Sequence, residues 1–368
     1  TVTGFDVIAQ IDGADVASEH VDATVAYNES YNFSVTLKPG ITELGDGQGR
    51  ISIRIDNITE GADEDPSDNI IEKTFMIVEH DYTRRILVEE FTTEQCPNCP
   101  RVGGYMHNAL AKDAFKEDVI AVCHHAGYYT DWLTTSFDAK YLWLFNQGGS
   151  TYAPALMTDR KVYADSSPVY CPSWQQDMEN DWTNRLSEPA FVSVNITADY
   201  DDKDSNKLIV KVEGSKSMPE LCDNPTITVF LVEDNIAARS QAGGDGNYIH
   251  YHVNRAVNSV WGDEVTFKGD DYTYECEFAL SDLWNRDNMQ IVAFIANYND
   301  EDATDCEVQN ANRLYFSEIG SSAVEEIAAE DSAAEIYTLT GMKMTGNTLA
   351  PGIYIVKQGS TTKKIMVK

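Results

Sequence analysis

The spacing of hydrophobic and polar positions changes along the chain, and each change marks a predicted module. Residues 1–80 alternate in short runs between turns, as over 31–37, 49–56 and 74–78. Short alternating strands at this spacing predict a β-sandwich of immunoglobulin type. Residues 81–188 instead place continuous apolar runs between helical stretches, which predicts an α/β unit.

Alternation returns over residues 189–318 and predicts a second β-sandwich. Residues 319–334 are small and acidic, a composition typical of linkers. Residues 335–368 predict a small all-β module with strands at 335–339, 352–357 and 364–367. The predicted fold class is therefore multidomain α+β, with four modules and one linker.

Inside the α/β unit, elements alternate in a regular order. A buried strand over 86–91 is followed by a helix over 104–112, a strand over 119–123 and a helix over 137–145. A strand over 155–158 and a helix over 172–186 complete the unit. This order predicts strands of one sheet with helices packed against its faces.

The charge of the chain restricts its partners. Among 368 residues, 27 Lys and Arg stand against 60 Asp and Glu, a net charge of −33. This excludes a general nucleic-acid binder, which needs basic patches to displace counterions from phosphates. Residues 335–368 carry five Lys and one Glu, or +4, so the rest carries −37. The reversal marks the tail as a separate module.

The clearest chemical signal is the run Cys96-Pro97-Asn98-Cys99, placed between a buried strand and a helix. Free N–H groups and the positive dipole end at a helix start favour a thiolate. Cys96, expected at the cap and facing solvent, is the predicted attacking thiolate, and Cys99, one turn in, is the predicted resolving thiol.

Two other hypotheses fit the same pair of cysteines. The pair could form an inert disulfide, or supply half of a zinc site that needs two more ligands. His124 and His125 end the neighbouring strand, but adjacent strand residues point to opposite faces, so both cannot easily converge. We therefore predict no metal and no cofactor for this site, and leave the inert disulfide open.

The segment around the motif resembles proteins of the thioredoxin fold over residues 84–186. In that family a buried acid precedes the first Cys by six residues, and Glu90 holds this position. The resemblance implies that Glu90 relays a proton to Cys99. It also implies that Pro154 is a cis-proline whose loop holds the substrate backbone. Gln95 and Pro100 depart from the family pattern.

The remaining cysteines and acidic loops give weaker signals. Cys222 and Cys306 both lie in polar loops, and they are the predicted partners of any second disulfide. Cys123 and Cys276 lie in predicted strands and are expected to be buried thiols, whereas Cys171 has no predicted partner. Acidic loops at 63–68 and 300–305 leave calcium binding open.

The chain resembles the 28-kilodalton outer-membrane-protein family of Bacteroidetes over roughly residues 84–318, through residues 88–100 and 248–255. Members are exported proteins or lipoproteins with a thioredoxin-like domain between β-sandwich modules. The acidic turn ending at 68–69 looks like that of adhesion-related immunoglobulin-like domains. The tail over 335–368 is similar to the C-terminal sorting domains of the type IX secretion route.

These observations predict an exported protein of the outer membrane or cell surface that exchanges thiols and disulfides through Cys96 and Cys99. The expected partners are protein thiols or disulfides, and secretion or outer-membrane machinery through residues 335–368. The alternative is a non-catalytic surface protein that binds a protein or glycan ligand and uses the thioredoxin fold as a scaffold.

Overall fold

The computed structural model describes residues 1–34, 47–59, 65–77, 81–146, 148, 152–163, 167–319, 335–338, 352–358 and 361–367. The chain forms two compact units, Thr1–Ser317 and Glu318–Lys368. Within the described part of the chain, no helix has the length and apolar character needed to cross a membrane.

The N-terminal segment forms one antiparallel sheet of four strands: β1 (Val2–Ile11), β2 (Ala14–Val25), β3 (Gly47–Asp56) and β4 (Ile70–Ile77), in the order β2-β1-β3-β4. Asp12 and Gly13 both have positive φ, which a two-residue hairpin turn requires. The predicted strand over 31–37 is not seen over 31–34, and residues 35–37 lie outside the described residues. A second sheet, which an immunoglobulin sandwich needs, is not present among the described residues of this segment.

The α/β unit contains the six predicted elements. They are β5 (Ile86–Thr92), α1 (Cys99–Leu110), β6 (Val119–His125), α2 (Asp138–Phe145), β7 (Ala155–Thr158) and α3 (Gln175–Leu186). Strands β5 and β6 pair in parallel, and β7 pairs antiparallel to β5. Alternating side chains of β5 serve the two faces: Val88 packs in the cluster with α1 and α3, and Leu87 packs in the cluster with α2.

Ten further strands follow in the first unit. They are β8 (Asn195–Tyr200), β9 (Lys207–Ser215), β10 (Pro225–Glu233), β11 (Ile236–Ala237), β12 (Ile249–His250), β13 (Val253–Val257), β14 (Asp263–Glu264), β15 (Asp271–Ala279), β16 (Met289–Asn297) and β17 (Val308–Tyr315). Strands β15, β9 and β8 form a separate three-stranded sheet.

The large sheet continues past the predicted boundary between residues 188 and 189. Its strand order is β17-β16-β10-β13-β6-β5-β7, with β14 added beside β10. The junction is a parallel contact between β13 and β6, where Val253 lies opposite Cys123. The α/β unit and part of the predicted second sandwich therefore share one sheet, and the loops of both can meet at its edge.

The second unit contains three described strands, β18 (Glu335–Thr338), β19 (Gly352–Gln358) and β20 (Thr361–Val367). They form an antiparallel sheet in chain order, as the alternation of the tail predicts.

Candidate redox site

Cys96 and Cys99 form a disulfide in the turn between β5 and α1. Helix α1 begins at Cys99, with Asn98 as its cap residue, and Pro100 lies in the first turn, where a missing N–H leaves no helical hydrogen bond unmade. Cys96 is only 6% exposed and Cys99 1%. The expectation that Cys96 faces solvent is therefore wrong, although Cys96 remains the more accessible of the two residues.

The burial of Cys96 comes in part from a loop that the sequence did not connect with it. Residues 238–248, here called the strap, join β11 to β12. The side-chain amide of Gln241 donates to the carbonyls of Cys96 (3.0 Å) and Thr93 (3.3 Å). The backbone N–H of Ala242 donates to the Glu94 carbonyl at 2.7 Å. The strap is thus bound directly to the backbone of the cysteine motif.

Glu90 lies in β5 and is 4% exposed. Burial raises the pKa of its carboxyl from 4.5 to about 7. Its Oε2 accepts a hydrogen bond from the Cys123 thiol at 3.2 Å, and its Oε1 is buried without a partner. The predicted buried acid is present, but the partner seen is Cys123, and the proton relay to Cys99 stays a prediction.

The peptide bond between Ala153 and Pro154 is cis, as the resemblance implies. Pro154 immediately precedes β7, whose first residue, Ala155, pairs with Phe91 near the end of β5. Because β7 runs antiparallel to β5, the proline loop and the cysteine motif lie at the same edge of the sheet. The strap approaches the same edge from the other side of β5. It is followed by β12 and then by β13, and β13 pairs with β6, whereas the proline loop leads into β7.

His125 and His250 meet beneath the strap, with ring centroids 4.9 Å apart. His125 Nδ1 lies 2.7 Å from Asp131. Burial alone would raise the pKa of Asp131, but its hydrogen bonds, first of all with His125, lower it below its usual value. Burial and the neighbouring His125 lower the pKa of His250 to about 4, which keeps its imidazole neutral.

A cavity of about 190 Å³ lies beside these groups. Glu90, Cys123 and both imidazoles line it on the sheet side, Gly103 and Gly104 belong to α1, and Tyr248 closes the strap end. At about 30 Å³ per water, it has room for roughly six water molecules. Glu90 therefore borders space large enough for water, through which its proton can be exchanged.

His124 points to the opposite face, as the strand alternation predicts, and joins an ion network that the sequence did not reveal. Arg160 binds Glu89 through two hydrogen bonds of 2.8 and 2.9 Å, and His124 contacts Glu89 and Asp138 at 3.1 Å each. Burial opposes protonation of His124, but its hydrogen bonds to Asp138 and Glu89 outweigh burial and raise its pKa. The only signal in the sequence was a charged residue, Glu89, inside an apolar strand.

The other cysteines do not form the predicted pair. Cys222 and Cys306 are both free thiols, so the predicted second disulfide is wrong. Cys306 instead contacts the backbone carbonyl of Asn299 within its own loop, at 3.3 Å. Cys123 is buried as expected, and Cys276 is half-buried. Across the described ranges, no three His, Cys, Asp or Glu side chains are grouped so that they could hold a metal ion.

Comparison with known proteins gives a family match and a fold match. HBP35 of Porphyromonas gingivalis is 20% identical with a TM-score of 0.58, over 79% of this chain and 100% of that chain. A domain of the outer membrane lipoprotein Omp28 from the same organism is 24% identical with a TM-score of 0.23, over 34% of this chain and 87% of that chain. The search of curated proteins found no match. Residues 146–313 match the family of outer membrane protein Omp28, which confirms the predicted location: this is an exported protein of the outer membrane or cell surface.

Proposed function

We propose that this exported protein is a thioredoxin-like thiol–disulfide oxidoreductase whose reactive group is the Cys96–Cys99 couple. The observation that carries the proposal is the unequal burial of two bonded cysteines at the start of a helix. Cys96 keeps 6% exposure and Cys99 1%, so we assign the attack of an incoming thiolate to Cys96, the less buried of the two.

The proposed thiol–disulfide exchange needs no cofactor, because the substrate thiols supply the two electrons that reduce the Cys96–Cys99 bond. A substrate thiolate attacks Cys96 Sγ, the bond between Cys96 and Cys99 breaks, and Cys99 leaves as a thiolate. A second substrate thiolate then attacks the mixed disulfide, which leaves the couple reduced and the substrate oxidised. The reverse sequence reduces a substrate disulfide. The N-terminal end of α1 favours both thiolates.

Two neighbouring groups support these steps. Glu90, with a pKa of about 7, can take up or release a proton near neutral pH, and we assign it the proton of Cys99. The loop before β7, with Ala153 and the cis-bonded Pro154, is assigned to the backbone of a protein substrate. The tail is assigned to recognition by secretion or outer-membrane machinery, and residues 1–80 to an immunoglobulin-like surface module.

A second candidate function is supported by the strap. Because both cysteines are less than one-tenth exposed and the strap donates a hydrogen bond to the carbonyl of Cys96, the disulfide can also serve as a structural cross-link. The chain would then be a surface protein that binds a protein or glycan ligand.

Insulin reduction by dithiothreitol separates the two functions. The oxidoreductase should accelerate it, Cys96→Ser should abolish the acceleration, and Cys99→Ser should accumulate a mixed disulfide at position 96. If the wild type does not accelerate insulin reduction and Cys99→Ser traps no adduct, the disulfide is a structural cross-link and the second function is supported.

A further inference from the structure

We propose that Glu94 is a positioning residue that holds the strap over the cysteine motif and thereby sets how fast thiols attack Cys96. The inference rests on the proposed function, since it concerns regulation of the same disulfide. Glu94 lies two residues before Cys96 and is 6% exposed.

The side chain of Glu94 joins the strap to the motif. Its Oε1 accepts hydrogen bonds from the backbone N–H of Arg239 at 2.7 Å and from the indole N–H of Trp132 at 3.0 Å. The guanidinium of Arg239 in turn lies 4.1 Å from the ring centroid of Trp132, in a cation–π contact. One carboxylate oxygen thus fixes the start of the strap and an aromatic side chain beside it.

The middle of the strap fits closely against the motif itself. Gly243 has a φ of +71°, and a Cβ placed on it would lie 2.1 Å from the carbonyl oxygen of Pro97. No side chain can be accommodated there without moving the strap or the turn that holds Cys96 and Cys99. The contact surface between the two loops therefore depends on a glycine.

Another glycine of the strap supplies a matched control. A Cβ on Gly246 meets nothing within 4 Å, and its φ lies outside the left-handed region. Gly246→Ala therefore changes the same loop without touching the motif, whereas Gly243→Ala must displace the two loops from each other. Glu94→Ala instead removes the hydrogen bonds that hold the start of the strap and leaves the contact of Gly243 with Pro97 unchanged.

The test measures the rate at which dithiothreitol reduces the Cys96–Cys99 bond in the oxidised full chain. Reduction is stopped by alkylation and quantified by mass spectrometry. Because hydrogen bonds to a charged group are lost, we expect Glu94→Ala to raise the rate roughly ten-fold or more. Gly243→Ala should also raise it, and Gly246→Ala should match the wild type. Wild-type rates in both Glu94→Ala and Gly243→Ala would overturn the proposal.

General loosening of the fold is excluded with a second thiol. Cys306 is 1% exposed and lies outside the strap and the motif, so its alkylation rate in the folded protein should stay unchanged in these variants. A parallel rise at Cys306 would overturn the proposal. If the variants are reduced faster but the protein does not accelerate insulin reduction, the strap limits access to the disulfide and the proposed oxidoreductase function is wrong.

Discussion

The buried carboxyl of Glu90 should make the stability of this protein depend on pH in an unusual direction. Burial raises its pKa from 4.5 to about 7 in the folded chain. Since the unfolded chain releases this proton near 4.5, ionised Glu90 costs the folded state about 3 kcal/mol relative to the unfolded state.

The sign follows from proton binding. Between pH 4.5 and about 7 the folded chain holds more protons at Glu90 than the unfolded chain, so this residue's contribution to stability falls as pH rises. Glu90→Gln cannot ionise and can still accept from the Cys123 thiol. The variant should therefore gain stability relative to wild type through this window, by about 3 kcal/mol, and the gain should level off above pH 8.

Urea denaturation of the oxidised protein at five pH values from 4 to 8 measures this difference. Glu89→Gln is the matched control at the preceding position. Ion pairing, chiefly with Arg160, overcomes burial there and lowers the pKa of Glu89 to about 2. Glu89→Gln removes this carboxylate and should therefore lower the free energy of unfolding at neutral pH. The contribution of Glu89 to stability should fade only as pH falls from 4.5 toward 2. A difference between Glu90→Gln and wild type that is constant from pH 4 to 8 would refute the reasoning.

Three further outcomes are expected. Arg160→Met removes both hydrogen bonds from Arg160 to buried Glu89 and leaves it only the contact with His124, so the variant should lose about 3–5 kcal/mol in urea denaturation, most of it recovered by adding Glu89→Gln; a loss below 1 kcal/mol would contradict the network. Alkylation of the unfolded, unreduced chain should label five cysteines, and all seven after reduction; three labelled before reduction would mean a second disulfide. Deletion of residues 335–368 should lower surface display, measured by labelling of intact cells, while the first unit stays folded; unchanged display would remove the sorting role.

Local patterns in the sequence predicted the elements around the motif well. The strand β5, the helix starting near Cys99 and the strand after Pro154 follow from apolar runs and turn residues, which act over a few positions. The order of these elements then brings Pro154 and the cysteines to one sheet edge, and the resemblance implied the cis bond.

Contacts between distant parts of the chain could not be predicted in the same way. The strap begins 139 residues after Cys99, and its polar, glycine-containing sequence looks like an ordinary loop. Nothing local indicates that Gln241 will bind the carbonyl of Cys96, so the burial of that cysteine was missed. The free state of Cys222 likewise depends on where two loops lie in the fold, since disulfide geometry demands close Cα atoms.

The reduction potential of the Cys96–Cys99 couple, measured by equilibration with glutathione buffers, tests the central claim most directly. Catalytic couples of the thioredoxin type lie between about −270 and −120 mV, whereas structural disulfides lie below about −300 mV. A working redox couple predicts a potential above about −300 mV. A potential below that value would contradict the oxidoreductase and identify the disulfide as a structural cross-link held beneath the strap.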